Sequence, residues 1–284
     1  MKCRRVELLV LTASKEINDG EIVVIGQGIP MAAGAIAKQN HAKDATILTE
    51  AGMVDIEPFQ NLEDIADPGA YKGFSYQIDL FEVFTTIVNR GYCDVCMLGV
   101  AQIDKFGNIN STVIGDYSIE SRKDIRMAGS GGANEFAGHA NRTVYTVVGG
   151  SFVNELDYLT SPGWLKGGNS RRDAGLPGGP SAVISTQGIF RFHEQTKEMY
   201  LAGLFPDTSV EDVKKHIPWD LKTAPQLGME MEENPHPTQE ELNFIRDFEP
   251  FLGIGGHQGR LLQAQVLPVH FERGASNMLA DQND

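Results

Sequence analysis

The sequence predicts an α/β protein in which helices cover a largely parallel sheet, with a β-hairpin and an extended carboxyl-terminal arm added to it. Strand-like and helix-like patterns alternate along most of the chain, which favours a parallel sheet. The run CDVCMLGV at 93–100 is apolar on both faces, as a central strand would be. The chain has 284 residues, of which 41% are hydrophobic, and can bury a sizeable core. We expect an α/β domain over residues 1–224 and the arm over 225–284.

The first hundred residues contain alternating helix and strand patterns. Glu7 interrupts the apolar run at the amino terminus, so this run predicts an amphipathic helix rather than a signal peptide. Strands are predicted at 21–26 and 45–50, with a helix between them and another at 79–91. The second helix has apolar residues at helical spacing on one face. These residues are Leu80, Phe81, Phe84, Ile87 and Val88.

The second half of the chain repeats the strand pattern at 143–148 and 181–186. Two β-rich runs then flank the polar turn EQTK at 194–197, which predicts a hairpin. Ser209 is placed to cap a short helix. Beyond residue 225 the sequence is rich in proline and glutamate, and it predicts an arm with one further helix and a frayed end.

The charge of the chain excludes several functions. The 24 Lys and Arg residues stand against 38 Asp and Glu residues, giving a formal net charge of -14, which disfavours nucleic acid as the main partner. An apolar stretch of about 18 residues, as a membrane span needs, is absent from the sequence. We therefore expect a cytoplasmic protein that binds neither nucleic acid nor membrane.

The cysteines and histidines do not form a metal-binding pattern. Cys93 and Cys96 make a CxxC pair, but they lie on an apolar run without a second pair, so buried free thiols are expected. The seven histidines show no ligand spacing. We expect no metal.

Glycine-rich turns provide candidate anion sites. The turn IGQGIP at 25–30 could direct the backbone N–H groups of Gly26 and Gly28 at a ligand, but it lacks the third glycine of a dinucleotide fingerprint. The turn AGSGG at 128–132 could hold an anion or oxyanion through Gly131 and Gly132, or it could be a connection that needs positive φ.

A third loop, at 165–180, concentrates positive charge in an acidic protein. Its cations could contact a phosphate or an acidic partner, or they could be solvated loop charges. They are Lys166, Arg171 and Arg172.

Uncharged polar side chains follow the predicted central strand. Such groups suit the orientation of a bound organic molecule, although they could equally hydrogen-bond to one another in a buried loop. The predicted substrate-binding residues are Gln102, Asn108, Asn110 and Ser111, with Asn134 after the second glycine-rich turn.

A carboxylate stands at the end of the second strand, in TILTEAG at 46–52. Glu50 follows a β-favouring run and is followed by residues too small to cover it. Ligands bind at the carboxyl ends of parallel strands, so Glu50 could be chemical. It could also be a solvated charge at the strand end.

The ordered motifs resemble those of the β subunits of class I coenzyme A transferases, of the glutaconate CoA-transferase type. The resemblance runs from about residue 6 to about residue 225. It is carried, in order, by GQGIP, TEAG, AQIDKFGNINSTVIGDY, GSGGAN, LTSPGW and GLPGG.

The resemblance implies that Glu50 of TEAG is the catalytic nucleophile and that the fold is that of the class I enzymes. CoA would move between an acyl-CoA and a carboxylic, possibly dicarboxylic, acid by a ping-pong route through a glutamyl-CoA thioester, with coenzyme A as substrate and no other cofactor. A partner α subunit would complete the enzyme. The alternatives are hydrolysis, including ring opening, or decarboxylation of acyl-CoA on the same scaffold, and a non-catalytic structural subunit.

Overall fold

The structure is a computed structural model that describes residues 3–56, 73–118, 125–148, 151–234 and 236–247. Within these ranges it contains fourteen strands. They are β1 (Ile22–Ile25), β2 (Thr46–Leu48), β3 (Met53–Val54), β4 (Tyr76–Gln77), β5 (Val95–Gly99), β6 (Gln102–Ile103), β7 (Ile109–Asn110), β8 (Val113–Ile114), β9 (Ile125–Arg126), β10 (Arg142–Val147), β11 (Ser151–Phe152), β12 (Pro180–Ser185), β13 (Gly188–Phe192) and β14 (Met199–Leu204).

The described helices are mostly short. The α-helices are α1 (Arg5–Ser14), α2 (Ile29–Asn40), α3 (Leu80–Glu82), α4 (Ala133–His139), α5 (Ser170–Asp173), α6 (Val210–Lys214) and α7 (Gln239–Asp247). A π-helical turn, Val83–Val88, continues α3, and a 3₁₀ turn covers Ala224–Leu227.

Nine of the described strands form one sheet, in the order β14-β13-β12-β10-β5-β1-β2-β3-β4. The five strands β12, β10, β5, β1 and β2 are parallel, and an antiparallel pair extends the sheet at each end. The predicted largely parallel sheet is therefore confirmed, as is the hairpin, which is β13–β14. The predicted central strand, β5, lies in the middle of the sheet.

Both faces of the sheet are covered. Along β1, Val23 and Ile25 belong to the hydrophobic cluster that contains α1 and α2, whereas Val24 belongs to the cluster that contains α4 and the π-helical turn. This alternation follows from the two-residue period of a strand. Cys93 and Cys96 are buried free thiols, as the sequence predicts.

The prediction of an amphipathic first helix is wrong, because α1 is buried from Glu7 through Ser14. The sheet covers one side of α1, and α2 and α7 pack against the others. Glu7 can be fully buried because its carboxylate accepts hydrogen bonds from Arg246 of α7, at 2.7 Å, and from Arg4. A core helix that is covered on all sides needs no polar face.

The predicted face of the helix at 79–91 is confirmed from Phe84 onwards and is wrong at its start. Leu80 and Phe81 are 53% and 73% exposed, whereas Val83 and Val88 are fully buried. The segment is π-helical from Val83, so the residues that share a face are not those of 3.6-residue spacing. The hydrophobic pattern located the helix but not its winding.

The chain after residue 225 runs back over the domain. Glu232 pairs with Gly203 of β14, and its side chain binds Arg191 of β13, which also binds Glu16. Ile245 of α7 is buried in the cluster with α1. The predicted frayed end, beyond residue 247, lies outside the described residues.

No helix in the described part of the chain is long and apolar enough to cross a membrane.

Candidate active site

Glu50 lies at the tip of a tight turn that connects β2 to the antiparallel strand β3. The Gly52 N–H donates to the Thr49 carbonyl at 3.0 Å, so Glu50 and Ala51 are the two central residues of a β-turn. The register pairs Val24 of β1 with Leu48 of β2, and the turn begins directly after Leu48. The turn therefore presents the carboxylate at the carboxyl edge of the parallel strands.

Only glycine fits at the last position of this turn. Gly52 has a φ of +88°, and a Cβ there would lie 1.9 Å from the Ile78 carbonyl oxygen. The Ile78 N–H in turn donates to the Gly52 carbonyl at 2.9 Å. The segment that leads into α3 thus holds the Glu50 turn from outside.

The second glycine-rich turn meets the carboxylate. The Gly132 N–H donates to Oε1 of Glu50 at 3.0 Å. A Cβ on Gly131 would lie 3.7 Å from both carboxylate oxygens, and Gly131 has a φ of +47°. Gly132 directly precedes α4, whose first residue, Ala133, donates to the Ser130 carbonyl. The chain from Ser130 to Gly132 therefore folds over the carboxylate.

Two aromatic rings and the Glu50 carboxyl carbon surround the point that a Cβ on Gly132 would occupy. A Cβ on Gly132 would lie 2.5 Å from Cζ of Phe84, 3.0 Å from Cδ of Glu50 and 3.0 Å from Cε2 of Phe136. The centroids of the two rings are 5.0 Å apart. Glycine at 132 is thus required by close packing, with φ in the ordinary range.

Partial burial raises the pKa of the Glu50 carboxyl above its usual range, and the hydrogen bond from Gly132 opposes this shift. Among the described residues, Gly132 provides the one hydrogen bond to this side chain, and it binds Oε1. Oε2 is the more available oxygen for attack on a substrate carbon.

The first glycine-rich turn lies beside the site but contributes differently from the prediction. The Gly26 N–H donates to the Met97 carbonyl at 2.9 Å within the sheet. It is not free to bind an oxyanion, which corrects its predicted role. Gly28 precedes α2 with a φ of +79°, and a Cβ there would have nothing within 4 Å.

Most of the predicted substrate-binding side chains are used internally. The Asn108 amide binds Asp104 and the Leu165 carbonyl and accepts from Gly163. The side chains of Asn108, Gln102 and Asn110 are all buried. They fit the alternative in which the polar residues of this loop hydrogen-bond to one another.

The Gln102–Asn110 pair is a short buried network. Asn110 donates to Oε1 of Gln102 at 2.7 Å and to the Val113 carbonyl, and Gln102 donates to Asp157 at 2.8 Å. Both amides thus have partners within the protein. This pairing favours the alternative in which the polar residues of this loop satisfy one another.

Ser111 and Asn134 are placed nearer to the glycine-rich turn. The Ser111 hydroxyl donates to the Gly129 carbonyl at 3.0 Å, and the Gly129 N–H donates to the Ser111 carbonyl at 3.0 Å. Ser111 therefore fixes the chain that leads to Gly132. Asn134 is exposed in the first turn of α4.

The cations of the loop at 165–180 differ in their burial. Arg171 is 1% exposed, and its guanidinium donates only to backbone carbonyls. Arg171 therefore stabilises the fold. Its guanidinium is not available to a phosphate, which corrects that predicted role. The accepting residues are Ala137, Gly138, Pro162, Gly163 and Pro177.

The remaining cations of this loop, Lys166 and Arg172, are exposed. No group of metal-ligating side chains occurs in the ranges that the structure describes.

Sequence reasoning missed three residues of the site: Ile78, Phe84 and Phe136. Their apolar side chains look like ordinary core residues in the sequence. The spacing of small residues was the available signal, because Gly52 and Gly132 mark places where another part of the chain comes close.

Comparison with known proteins finds relatives over most of the chain. A family model for coenzyme A transferase matches residues 6–216. The B subunit of glutaconate CoA-transferase from Acidaminococcus fermentans is 36% identical over 231 residues, which cover 79% of this chain and 86% of the relative. The B subunit of 3-oxoadipate CoA-transferase from Pseudomonas knackmussii is 31% identical over 246 residues, covering 86% and 92%.

Solved structures show the same fold. The crystal structure of glutaconate coenzyme A-transferase from Acidaminococcus fermentans matches with a TM-score of 0.77 and 33% identity, over 86% of this chain and 94% of that chain. The decarboxylase AibA/AibB matches with a TM-score of 0.73 at 23% identity, over 92% and 99%, which shows the fold alone. The family match, the sequence identity to two transferase relatives and the shared fold lead to one conclusion: this chain belongs to the coenzyme A transferase family.

Proposed function

We propose that this chain is the β subunit of an enzyme that transfers coenzyme A between an acyl-CoA and a carboxylic acid, with Glu50 as the nucleophile. The observation that carries the proposal is the placement of the Glu50 carboxylate. It stands on a fixed turn at the carboxyl edge of the sheet, with Oε1 bound by the Gly132 N–H at 3.0 Å. A buried structural ion pair would instead direct a cation at the carboxylate, and among the described residues none pairs with it.

The first half-reaction begins with attack by Oε2 of Glu50 on the thioester carbonyl of the acyl-CoA. The carbon–sulfur bond breaks, the CoA thiolate leaves, and a mixed anhydride joins Glu50 to the acyl group. The thiolate then attacks Cδ of Glu50 and displaces the acyl group as a carboxylate. The product is a glutamyl-CoA thioester, and the steps need no redox or metal cofactor because a carboxylate is already ionised near neutral pH.

The second half-reaction reverses these steps with another acid. Its carboxylate attacks Cδ of Glu50, releases the CoA thiolate and forms a second anhydride. The thiolate then attacks the acyl carbonyl and regenerates the Glu50 carboxylate. The two substrates thus never need to occupy the site together.

The hydrogen bond from Gly132 has a defined purpose in this scheme. When Cδ of Glu50 becomes tetrahedral, negative charge develops on Oε1, where the Gly132 N–H already lies. A donor in place before the reaction stabilises that charge without reorganisation. We assign the Gly132 N–H to the steps at the glutamyl carbonyl. The N–H of Gly131, on which a Cβ would lie 3.7 Å from both oxygens, is the candidate for the acyl carbonyl.

A partner subunit would protect the mixed anhydride from water. Water must be kept from it, and Glu50 is only partly buried in the single chain. The relatives at 36% and 31% identity are both named as one lettered subunit of a larger enzyme. We therefore propose that an α subunit closes the site and that the isolated chain is inactive.

The acid is proposed to be a dicarboxylate. The same two relatives are named for glutaconate and 3-oxoadipate, which are both dicarboxylates. Ser111 lies in the loop that holds the glycine-rich turn, where it could contact a distal polar group. Exchange of Ser111 for alanine should then change the ratio of kcat/KM values for dicarboxylic and monocarboxylic acids, and an unchanged ratio would remove Ser111 from substrate selection.

The proposal is tested by trapping the covalent intermediate. The chain is co-expressed with its α subunit, incubated with acyl-CoA and treated with borohydride or hydroxylamine, and its peptides are analysed by mass spectrometry. Modification is expected on the peptide that contains Glu50 and should be absent from the Glu50→Gln variant. The Glu135→Gln variant, altered at a carboxylate near the start of α4, is the matched control and should be modified normally.

The same experiment separates transfer from its alternatives. CoA release without modification of Glu50 would support hydrolysis, and loss of carbon dioxide from the acyl group would support decarboxylation. Turnover that survives in Glu50→Gln would reject Glu50 as the nucleophile.

A further inference from the structure

Phe84 touches the hydrogen-bonded pair at the centre of the site. Its Cζ lies 2.5 Å from the point that a Cβ on Gly132 would occupy, and Cδ of Glu50 lies 3.0 Å from the same point. The ring edge and the carboxyl carbon therefore flank one small space above the Gly132 Cα. The ring edge thus packs against the residue whose N–H donates to Glu50.

The ring is itself fixed by α4. Its centroid lies 5.0 Å from that of Phe136, and the two planes are inclined by 31°. Phe136 is 3% exposed, and its N–H donates to the Gly132 carbonyl at 3.0 Å. Phe84 thus packs on both the residue that donates to Glu50 and the ring one turn behind it.

The π-helical turn determines where Phe84 lies. The Asn89 N–H donates to the Phe84 carbonyl at 2.8 Å, and the Tyr92 N–H donates to the Ile87 carbonyl at 3.0 Å, both across five residues. In an α-helix, residues five apart are separated by about 140° around the axis. The wider turn lets Val83 and Val88, five apart, both reach the core while Phe84 lies on Gly132.

Leu80 and Phe81 are exposed, but they lie in α3, before the π-helical turn begins. π-Helical turns are rare and frequently lie at functional sites. This one brings Phe84 to Gly132 while Val88 stays in the core.

We propose that Phe84 is a positioning residue for CoA transfer: through its contact with Gly132 it holds the Gly132 N–H against Glu50 and keeps water from that side of the carboxylate. The inference rests on the proposed function, because it assumes that the Glu50–Gly132 pair performs the transfer. Phe84 acts through Gly132 and forms no bond to substrate.

The test compares two exchanges of phenylalanine for leucine on one helix, each in the complex with the α subunit. Phe84→Leu removes the ring at Gly132, and Phe81→Leu changes an exposed ring of the same segment. We expect kcat of Phe84→Leu to fall about 10- to 100-fold with KM for acyl-CoA changed less than about threefold, because the loss is one of alignment. Phe81→Leu should keep kcat.

A second measurement distinguishes a positioning role of Phe84 from a role in folding alone. Water admitted beside Glu50 should move the acid limb of kcat/KM to lower pH in Phe84→Leu. A structural role alone would lower kcat in proportion to the folded fraction, measured by thermal melting, and would leave the limb unchanged; that result would overturn the inference. Equal kcat values for Phe84→Leu and Phe81→Leu would also overturn it.

Glu50→Gln is measured in parallel. If Glu50→Gln retains turnover, the proposed function fails. If Glu50→Gln is inactive while Phe84→Leu behaves as Phe81→Leu does, the role of Phe84 alone fails.

Discussion

The backbone N–H of Gly132 donates to Oε1 of Glu50, which lies 82 residues earlier in the chain. The two residues meet because Glu50 follows the parallel strand β2 and Gly132 precedes α4, the helix that leads back to β10 of the same sheet. Carboxyl ends of strands and amino ends of the following helices lie at one edge in this architecture. The site is therefore a consequence of strand order.

The ionisation of Glu50 should control the acid limb of the pH profile. Burial raises its pKa, with the Gly132 hydrogen bond opposing, and only the carboxylate attacks a thioester. As pH is lowered, kcat/KM should start to fall above the ordinary glutamate pKa of about 4.3. The measurement is kcat/KM against pH for the complex with its α subunit, and a limb at or below that value would contradict the prediction.

The contacts around Gly132 predict a sharp difference between two glycines near α4. Gly132→Ala would place a Cβ 2.5 Å from Phe84 and 3.0 Å from Cδ of Glu50, so activity should fall about 100-fold and stability by about 1–3 kcal/mol. Gly138→Ala meets nothing within 4 Å and should leave activity unchanged while stabilising α4 by up to about 1 kcal/mol. Assays and thermal melts of both variants test this. Equal behaviour of the two variants would show that the close approach at Gly132 is unimportant.

Arg171 should be a major contributor to stability. Its guanidinium binds five backbone carbonyls, two of them in α4, and Arg171→Met would leave these acceptors buried without donors. The free energy of unfolding should fall by at least about 3 kcal/mol in urea titration. Arg172→Met, at an exposed neighbour, is the control and should change it by less than about 0.5 kcal/mol. A small effect of Arg171→Met would mean that water or a rearranged loop satisfies the carbonyls.

The contact between Glu7 and Arg246 should make stability depend on pH. Burial opposes ionisation of Glu7, but hydrogen bonds from Arg246 and Arg4 lower its pKa to about 2. Because the folded-state pKa is depressed, the ionised carboxylate stabilises the protein above the ordinary glutamate pKa, and this contribution is lost as pH falls towards 2.

Glu7→Gln tests this linkage. It should lower Tm at pH 6, and the difference in Tm from the unchanged protein should shrink as pH falls below about 4. Glu240→Gln, at an exposed carboxylate of α7, is the control. A difference that stays constant with pH would show that Glu7 contributes through packing and not through its charge.

The sequence was sufficient to predict the strands of the parallel sheet. Apolar runs such as the one at 93–100 need partners on both sides, so β5 had to be central. The residues around Glu50 are also compatible with a solvated charge at a strand end, and it is the resemblance to class I coenzyme A transferases that singles Glu50 out. The helix start at Gly132 was evident from its glycines.

The sequence could not predict contacts that depend on backbone winding or on parts of the chain far apart. The pattern from Leu80 to Val88 fits an α-helix, and nothing local indicates the π-helical turn that places Phe84. The sequence around Arg171 has the composition of a solvated loop. Arg171 is nevertheless buried, because carbonyl groups from three segments converge on it. The amides of Asn108 and Asn110 are chemically able to bind a substrate, and only tertiary structure shows that they are already paired.

The meeting of Glu50 with Gly132 has a consequence for refolding. Their contact closes a loop of about eighty residues, which must wait until the intervening β5 has entered the sheet between the strands that border them. Contacts between distant parts of a chain form after local helices and hairpins, since the closure entropy of the loop must first be overcome. A chain diluted from denaturant should therefore regain its helical circular dichroism before the Glu50 carboxylate regains its hydrogen bond from Gly132. Under the proposed function, the ability to accept CoA would be among the last native properties to return.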